Sequence, residues 1–332
     1  MYKQYRLACA MAVLAISVVI STVHADKARL TSHKDMMSKL ASLDMADDDT
    51  FGHGRMKVLS IGKSVNGKDI PLVVISDSEV SQDLTKRLFI VCRQHGDEPA
   101  STEAMLKLIE DLVVLSDEGT ADLLTKVSFF VVPMMNPDGA DRYIRRNANG
   151  ADLNRDWLAL SQPETLAVRA AIDSVSPDII LDEHELSPTN RSSDFVETAG
   201  PKSGVPSEFA AESAQLQSLV VGMLRTHDIQ VTPYLIDDHN PARLAHRYFP
   251  IHAGTKTMLF ESRQAGVRQY QLQYRMNLHI VGTMTIAKYL AGRGDELWQR
   301  VAAYDEQQRY VRLASRSRKS GSSAGKSTEK KK

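Results

Sequence analysis

Cysteine is nearly absent from this chain: two in 332 residues, Cys9 and Cys92. Cys9 lies in a leader with three parts, the basic start MYKQYR, the apolar run LACAMAVLAISVVI and the small-residue end STVHA. That order is the pattern of a secretory signal peptide cleaved before Asp26. The run is shorter than the roughly 20 residues a bilayer requires, so no stable membrane span is expected after cleavage. A lipoprotein anchor is excluded because Cys9 precedes the apolar run instead of following it. The mature chain then keeps Cys92 alone and cannot form an internal disulfide. A protein exported to the periplasm or secreted must therefore be held together by its core, and about 290 residues are enough for that.

Net charge is also lacking, with 41 basic and 41 acidic residues. The leader holds two basic residues and no acid, which leaves the mature chain at −2. The end from Ser315 to Lys332, SRSRKSGSSAGKSTEKKK, holds seven basic residues and one acid, so the body 26–314 carries −8. A body of that sign has no basic stripe for nucleic acid. The tail is polar, without aromatics, and is expected to be disordered. Its GSSAG matches the G-x-S-x-G of a nucleophile elbow but has no strand before it and no helix after it, so it is discarded. No internal repeat and no Pro/Gly linker interrupts residues 50–300, which predicts one domain.

What is present is an alternation of apolar runs and helical patterns. Residues 26–50 read as an acidic, helical lead-in. Val58 to Ser76 carries two apolar runs around Asn66-Gly67 and predicts a β-hairpin. RLFIVC, VSFFVVP, DIILD and TKTMLFE are short buried strands, with longer helical stretches between or after them. This order predicts an α/β fold, a mixed, mostly parallel sheet flanked by helices.

The polar residues share one placement. His95 and Glu98 follow the first of these strands, Asn136-Pro137-Asp138-Gly139 the second, and Glu183-His184-Glu185 the third, while Glu261 ends the fourth. Open α/β sheets bind ligands at the carboxyl ends of their strands. A His and a Glu three residues apart, with a distant His, form a complete three-ligand set for catalytic zinc that leaves one position open. His95-x-x-Glu98 by itself is a weak signal, and the other zinc-peptidase pattern, H-E-x-x-H, is missing at His184-Glu185. The segment RYIRRNANGADLNRDW, Arg142 to Trp157, crowds Arg and Asn into one loop. Such a loop suits a site that grips a carboxylate and a developing oxyanion, although a solvated basic loop has the same composition.

Taken in order, these pieces resemble the funnelin-type zinc carboxypeptidases, the M14 peptidases, from about Gly62 to Gly266. The resemblance rests on His95-Gly96-Asp97-Glu98, Asn136-Pro137-Asp138-Gly139, Arg142-Tyr143-Ile144-Arg145-Arg146-Asn147, Asp152-Leu153-Asn154-Arg155 and Phe260-Glu261-Ser262-Arg263, with His184 between the last two. It implies one Zn2+ per chain held by His95, Glu98 and His184, with Asp152 orienting the first histidine. It implies Arg145 as the group that polarises the scissile carbonyl, Asn154 and Arg155 as the clamp on a substrate carboxylate, and Glu261 as general base and acid. The implied activity is that of a zinc-dependent hydrolase, a metallocarboxypeptidase acting on a peptide at or near its free C-terminus. A murein-peptide-amidase-like branch would instead cut the γ-D-glutamyl bond to diaminopimelate in a cell-wall stem peptide. An aspartoacylase-like deacylase shares the HGxE and DLNR signals. A protein that binds peptide ends without cutting them is the alternative from another class, though every ligand and Glu261 are present.

Two departures bear on the substrate. Glu185-Leu186-Ser187-Pro188 stands where the family often has a small residue and a tyrosine, and the extra carboxylate can repel an acidic substrate, attract an amino group or face away. The family's substrate-capping tyrosine has no counterpart at the expected spacing; Tyr234 and Tyr248 both lie upstream of Glu261. Cys92 is expected to be buried and inert; His239, His246 and His252, which precede the Glu261 strand, are expected to be surface-loop histidines, with lining of the pocket as the alternative.

Overall fold

The computed structural model of the protein describes residues 30–324, apart from 52–53, 78, 82–83, 115–116, 188, 191, 237–243 and 265–268. The leader 1–25, residues 325–332 and His239 lie outside the described residues. Eight strands form one sheet: β1 (Met56–Lys63), β2 (Asp69–Ile75), β3 (Lys86–Cys92), β4 (Val127–Val132), β5 (Ile179–Leu186), β6 (Phe195–Ala199), β7 (Thr232–Ile236) and β8 (Lys256–Arg263), in the order β1-β2-β4-β3-β5-β8-β6-β7. The central strands β4, β3, β5 and β8 run parallel, while β1, β2 and the β6–β8 pairing are antiparallel. The mixed sheet agrees with expectation, and the β1–β2 hairpin turns at Gly67, whose φ of 80° suits glycine.

Continuous apolar runs make the central strands because both faces of the sheet are covered. Along β3, Leu88, Ile90 and Cys92 face one layer and Phe89 and Val91 the other. The first layer contains α1 (His33–Phe51), α2 (Ala100–Val113), α3 (Glu118–Leu124) and α6 (Ser207–Thr226), together with α8 (Gln269–Leu290). The second is built on α5 (Pro163–Val175) and α7 (Ala245–His252), with Trp157 and Phe249 edge-to-face between them and the sheet. Cys92 is fully buried, and burial pushes its thiol well up, as expected of an inert cysteine.

Two features depart from expectation. The Arg/Asn-rich stretch after β4 is not wholly loop, since it holds α4 (Pro137–Arg142) and a single 3-10 turn, Leu153–Arg155. Asn136 starts α4 by accepting from the Gly139 N–H at 2.9 Å, and Asp152 starts the turn by accepting from the Asn154 N–H at 3.1 Å. The C-terminal helix α9 (Gly294–Ala324) continues into the tail, so residues 315–324, expected to be disordered, are helical. The five Ser and one Gly of that stretch do not favour helix by themselves, and the helix is nucleated upstream where Leu297 and Val301 pack on α6.

Candidate metal centre and active site

The period-2 alternation of β5 distributes the key residues. In LDEHEL, Asp182 and His184 point to the α5/α7 layer, where His246 meets Asp182, and Glu183 and Glu185 point to α8, where His279 and Arg275 meet them. His95 and Glu98 follow β3 on a loop whose centre, Gly96, presses against α4: a Cβ there would stand 2.0 Å from the Gly139 carbonyl carbon. Only glycine lets the loop lie this close.

His95, Glu98 and His184 converge, and their ligand atoms lie within 4.8 Å of one another with all three residues buried. Glu98 Oε1 is 2.7 Å from His95 Nδ1 and Oε2 is 2.8 Å from His184 Nδ1, while the two Nδ1 atoms are 3.2 Å apart. Each outward Nε2 has a carboxylate: Asp152 Oδ1 at 3.0 Å from His95 and Asp182 Oδ1 at 2.8 Å from His184. An Nε2–H donated outward fixes the tautomer whose Nδ1 lone pair points inward, as a metal ligand requires. Burial works against the charge on Glu98, but the two facing imidazoles outweigh it and hold the carboxyl well below the usual range. Two imidazole nitrogens and an ionised carboxylate at one point fit a zinc ion with an open position.

Glu261 stands beside His184 in the β5–β8 register. Its Oε2 is buried without a hydrogen-bond partner among the described residues, and burial pushes the carboxyl up to about 7. A lone carboxylate oxygen aimed into a polar site, with a proton affinity near neutrality, suits a group that takes and returns a proton. Arg145 closes the opposite side: its Nε donates to Asp152 Oδ2 at 3.1 Å, and Nη1 lies 3.2 Å from His95 Nδ1 and 3.4 Å from Glu98 Oε1. His95, Glu98, Arg145 and Glu261, with Asn154, Arg155, Glu197, His246 and Arg247, line a cavity of about 320 Å3.

The expected clamp is divided in the structure. Arg155 is exposed at the cavity, its Nη1 donating to the Asn154 carbonyl at 2.8 Å. Asn154 is buried at the cavity wall, its Oδ1 accepting from the Ala245 N–H at 3.2 Å and its Nδ2 3.2 Å from His184 Nε2. Arg142 and Arg146 stay exposed and bond only to nearby carbonyls. Asn147 is buried as a loop brace, donating to Gln162 and Glu164. Glu185 reaches the cavity rim, but its carboxylate is taken by Arg275 at 2.7 Å and Gln264 at 3.1 Å, so of the three options it chiefly faces away.

His246 corrects its reading as a surface-loop histidine. It is 3% exposed in α7, with Nδ1 3.1 Å from Asp182 Oδ2 and Nε2 3.2 Å from Glu197 Oε1. Burial opposes its charge, yet the two carboxylates raise its pKa, which is why a histidine is tolerated there. His252 is exposed, as expected, with its ring 4.6 Å from that of Tyr248. Sequence reasoning missed Asp182, His246, Glu197, Arg247 and Gln94. Of these, only Asp182 carried a signal, lying two residues before His184 on the same strand face.

A parallel sheet that gathers a His/Glu/His set, a lone buried carboxylate and an arginine at its carboxyl edge defines a candidate metal-dependent hydrolase site. Comparison with known proteins narrows this class. A family model described as zinc carboxypeptidase matches residues 52–221, just over half of the chain. Carboxypeptidase 2 of Trichophyton rubrum is 34% identical over 127 residues, 37% of this chain and 23% of that protein. An uncharacterised protein of Zymomonas mobilis is 30% identical over 156 residues, 46% of this chain and 37% of its own. The matched stretch thus spans well under half the length of these curated relatives. Among solved structures, a metallo-carboxypeptidase from Pseudomonas aeruginosa in complex with (2-guanidinoethylmercapto)succinic acid superposes with a TM-score of 0.64 at 24% identity, covering 81% of this chain and 70% of that one. Bovine thrombin-activatable fibrinolysis inhibitor, in complex with tick carboxypeptidase inhibitor, gives 0.64 at 17% identity, covering 80% and 98%. The chain belongs to the zinc carboxypeptidase family.

Proposed function

We propose that the protein is an exported metallocarboxypeptidase that hydrolyses the peptide bond next to a free C-terminus. The observation that carries this reading is the meeting of the inward Nδ1 atoms of His95 and His184 and the Glu98 carboxylate with the unpartnered Oε2 of Glu261. When bound there, zinc supplies a Lewis acid and lowers the pKa of water toward about 7. Glu261 accepts the proton of the attacking water and passes it to the leaving amine. Arg145 donates to the oxygen that gains charge as the carbonyl is attacked. Arg155 binds the terminal carboxylate together with Asn154, which lines the same cavity. The basic, apolar and small-residue order of the first 25 residues supports export. Among the described residues, no helix is long and apolar enough to cross a membrane.

A mass-spectrometric digest tests the reading. Zinc-loaded protein from Asp26 onward is given a pool of free-acid peptides, their C-terminal amides and diaminopimelate stem peptides. Loss of single residues from the free acids alone is expected, and Glu261→Gln should keep the zinc while slowing that loss by roughly 10²–10⁴-fold. Cleavage confined to the stem peptides would replace this reading with the amidase. No cleavage despite bound zinc would favour a protein that only binds chain ends, or the deacylase.

A further inference from the structure

The loop carrying His95 and Glu98 has a second attachment that takes no part in the proposed chemistry. Arg93 is 1% exposed, and its backbone adopts φ 54°, a left-handed conformation uncommon for a non-glycine residue. From that position its guanidinium spans two carbonyls, with Nε donating to Gly96 O at 3.2 Å and Nη1 to Thr31 O at 3.1 Å. Gly96 lies between the two ligands of the loop, and its own N–H is held by the Arg145 carbonyl at 3.3 Å. Both polar backbone atoms of the loop's central residue are therefore fixed, one from each side.

Thr31 is itself anchored away from the site. Its N–H and hydroxyl donate to the two oxygens of Glu103 in α2, at 2.7 and 2.8 Å. Two residues on, the His33 N–H donates to Asp141 of α4 at 2.9 Å, and its Nε2 lies 2.8 Å from the Asp69 carbonyl of β2. The lead into α1 and its first residue thus make polar contacts to three separate elements, which offset the roughly 1–2 kcal/mol of backbone entropy that ordering each residue costs.

We infer that residues 31–33 act as a strap that holds the metal loop through Arg93, making Arg93 and Glu103 positioning residues for the metal. The inference rests on the reading of His95, Glu98 and His184 as metal ligands. A buried guanidinium must keep its acceptors. If the strap is removed, Arg93 loses the Thr31 carbonyl, water reaches it, and its hold on the Gly96 carbonyl relaxes. Metal ligands must be held to within about 0.5 Å, so a loosened loop sheds metal faster even where the fold persists.

The test is the rate at which zinc passes to an excess of chelator. Five zinc-loaded proteins are compared: the chain from Asp26, the chain from residue 33, Glu103→Ala, the shortened chain carrying Glu103→Ala, and Arg93→Ala. The shortened chain and Glu103→Ala should each release zinc roughly tenfold faster than the chain from Asp26. Combining the two should add nothing, because both cut one strap. Arg93→Ala removes a buried side chain and risks misfolding, so Glu103→Ala carries the test at full chain length. The Glu103 side chain hydrogen-bonds neither the loop nor the ligands, although its charge favours that of Arg93, and the shortened chain, which keeps Glu103, separates the strap from that charge. Release at the full-length rate from both the shortened chain and Glu103→Ala would overturn the strap while leaving the metal reading intact. Full additivity of the two changes would also overturn it. Failure of the chain from Asp26 to bind zinc at all would overturn the metal reading and the strap with it.

Discussion

The two histidines of the cluster share one orientation but are anchored to different surroundings. His95 leans on Asp152, a side chain 13% exposed that also accepts from Arg145, itself 42% exposed at the cavity. His184 leans on Asp182, which is fully buried and shares its oxygens with Gln94 and His246. Gln94 in turn accepts from the indole of buried Trp157 at 2.8 Å. One ligand is thus tied to a group that faces the substrate, and the other is tied to the core. Equivalent changes on the two sides should therefore be read out differently, as catalysis on the His95 side and as folding on the His184 side.

Asp182→Ala should give the largest effect. It leaves His246 with Glu197 alone and takes the carboxylate from the outward Nε2 of His184, and breaking a buried charged partnership costs about 3–5 kcal/mol. Denaturant unfolding should show this loss with and without zinc. If only metal affinity fell, the core-side assignment would be wrong. Arg145→Ala should cost about 3 kcal/mol in kcat/KM, roughly a hundredfold or more, with little change in unfolding midpoint, because half-exposed charges add little to stability. A comparable loss of stability in that variant would erase the contrast.

Asp152→Asn tests the same side more gently. It should weaken zinc binding by roughly 10–100-fold, read by chelator competition, and shift unfolding less than Asp182→Ala does. Trp157→Phe should be the smallest, about 1 kcal/mol of stability for one neutral hydrogen bond to Gln94. Zinc affinity should barely move, unless the Gln94 contact matters to His184 more than the distances indicate.

Legibility followed the range of the interactions. The central strands could be read because each is an unbroken apolar run, and the polar residues after them could be placed because an α/β order sends those ends to one edge. β6 and β7 escaped because FVETA and TPYLI are short, carry polar or exposed positions and pair only after helix α6 has intervened. Asp152 was reachable only through family resemblance, since nothing local to DLNR reveals that it meets His95. His246 was misread because a histidine beside Arg247 and Tyr248 looks solvated until α7 folds it between two acids.

The sequence by itself determined which side of the sheet each residue would take. In LDEHEL the alternation of a strand commits Asp182 and His184 to one face and Glu183 and Glu185 to the other, whatever lies beyond. Only the tertiary structure decided what each would meet: Asp182 for His184, Arg275 for Glu185, Thr31 for Arg93 and, among the described residues, no partner for Glu261 Oε2. The physical reason is distance. Period and polarity are set by neighbours along the chain, whereas a hydrogen bond is made or lost within a few tenths of an ångström around 3 Å. That precision comes only when elements distant in sequence pack against one another.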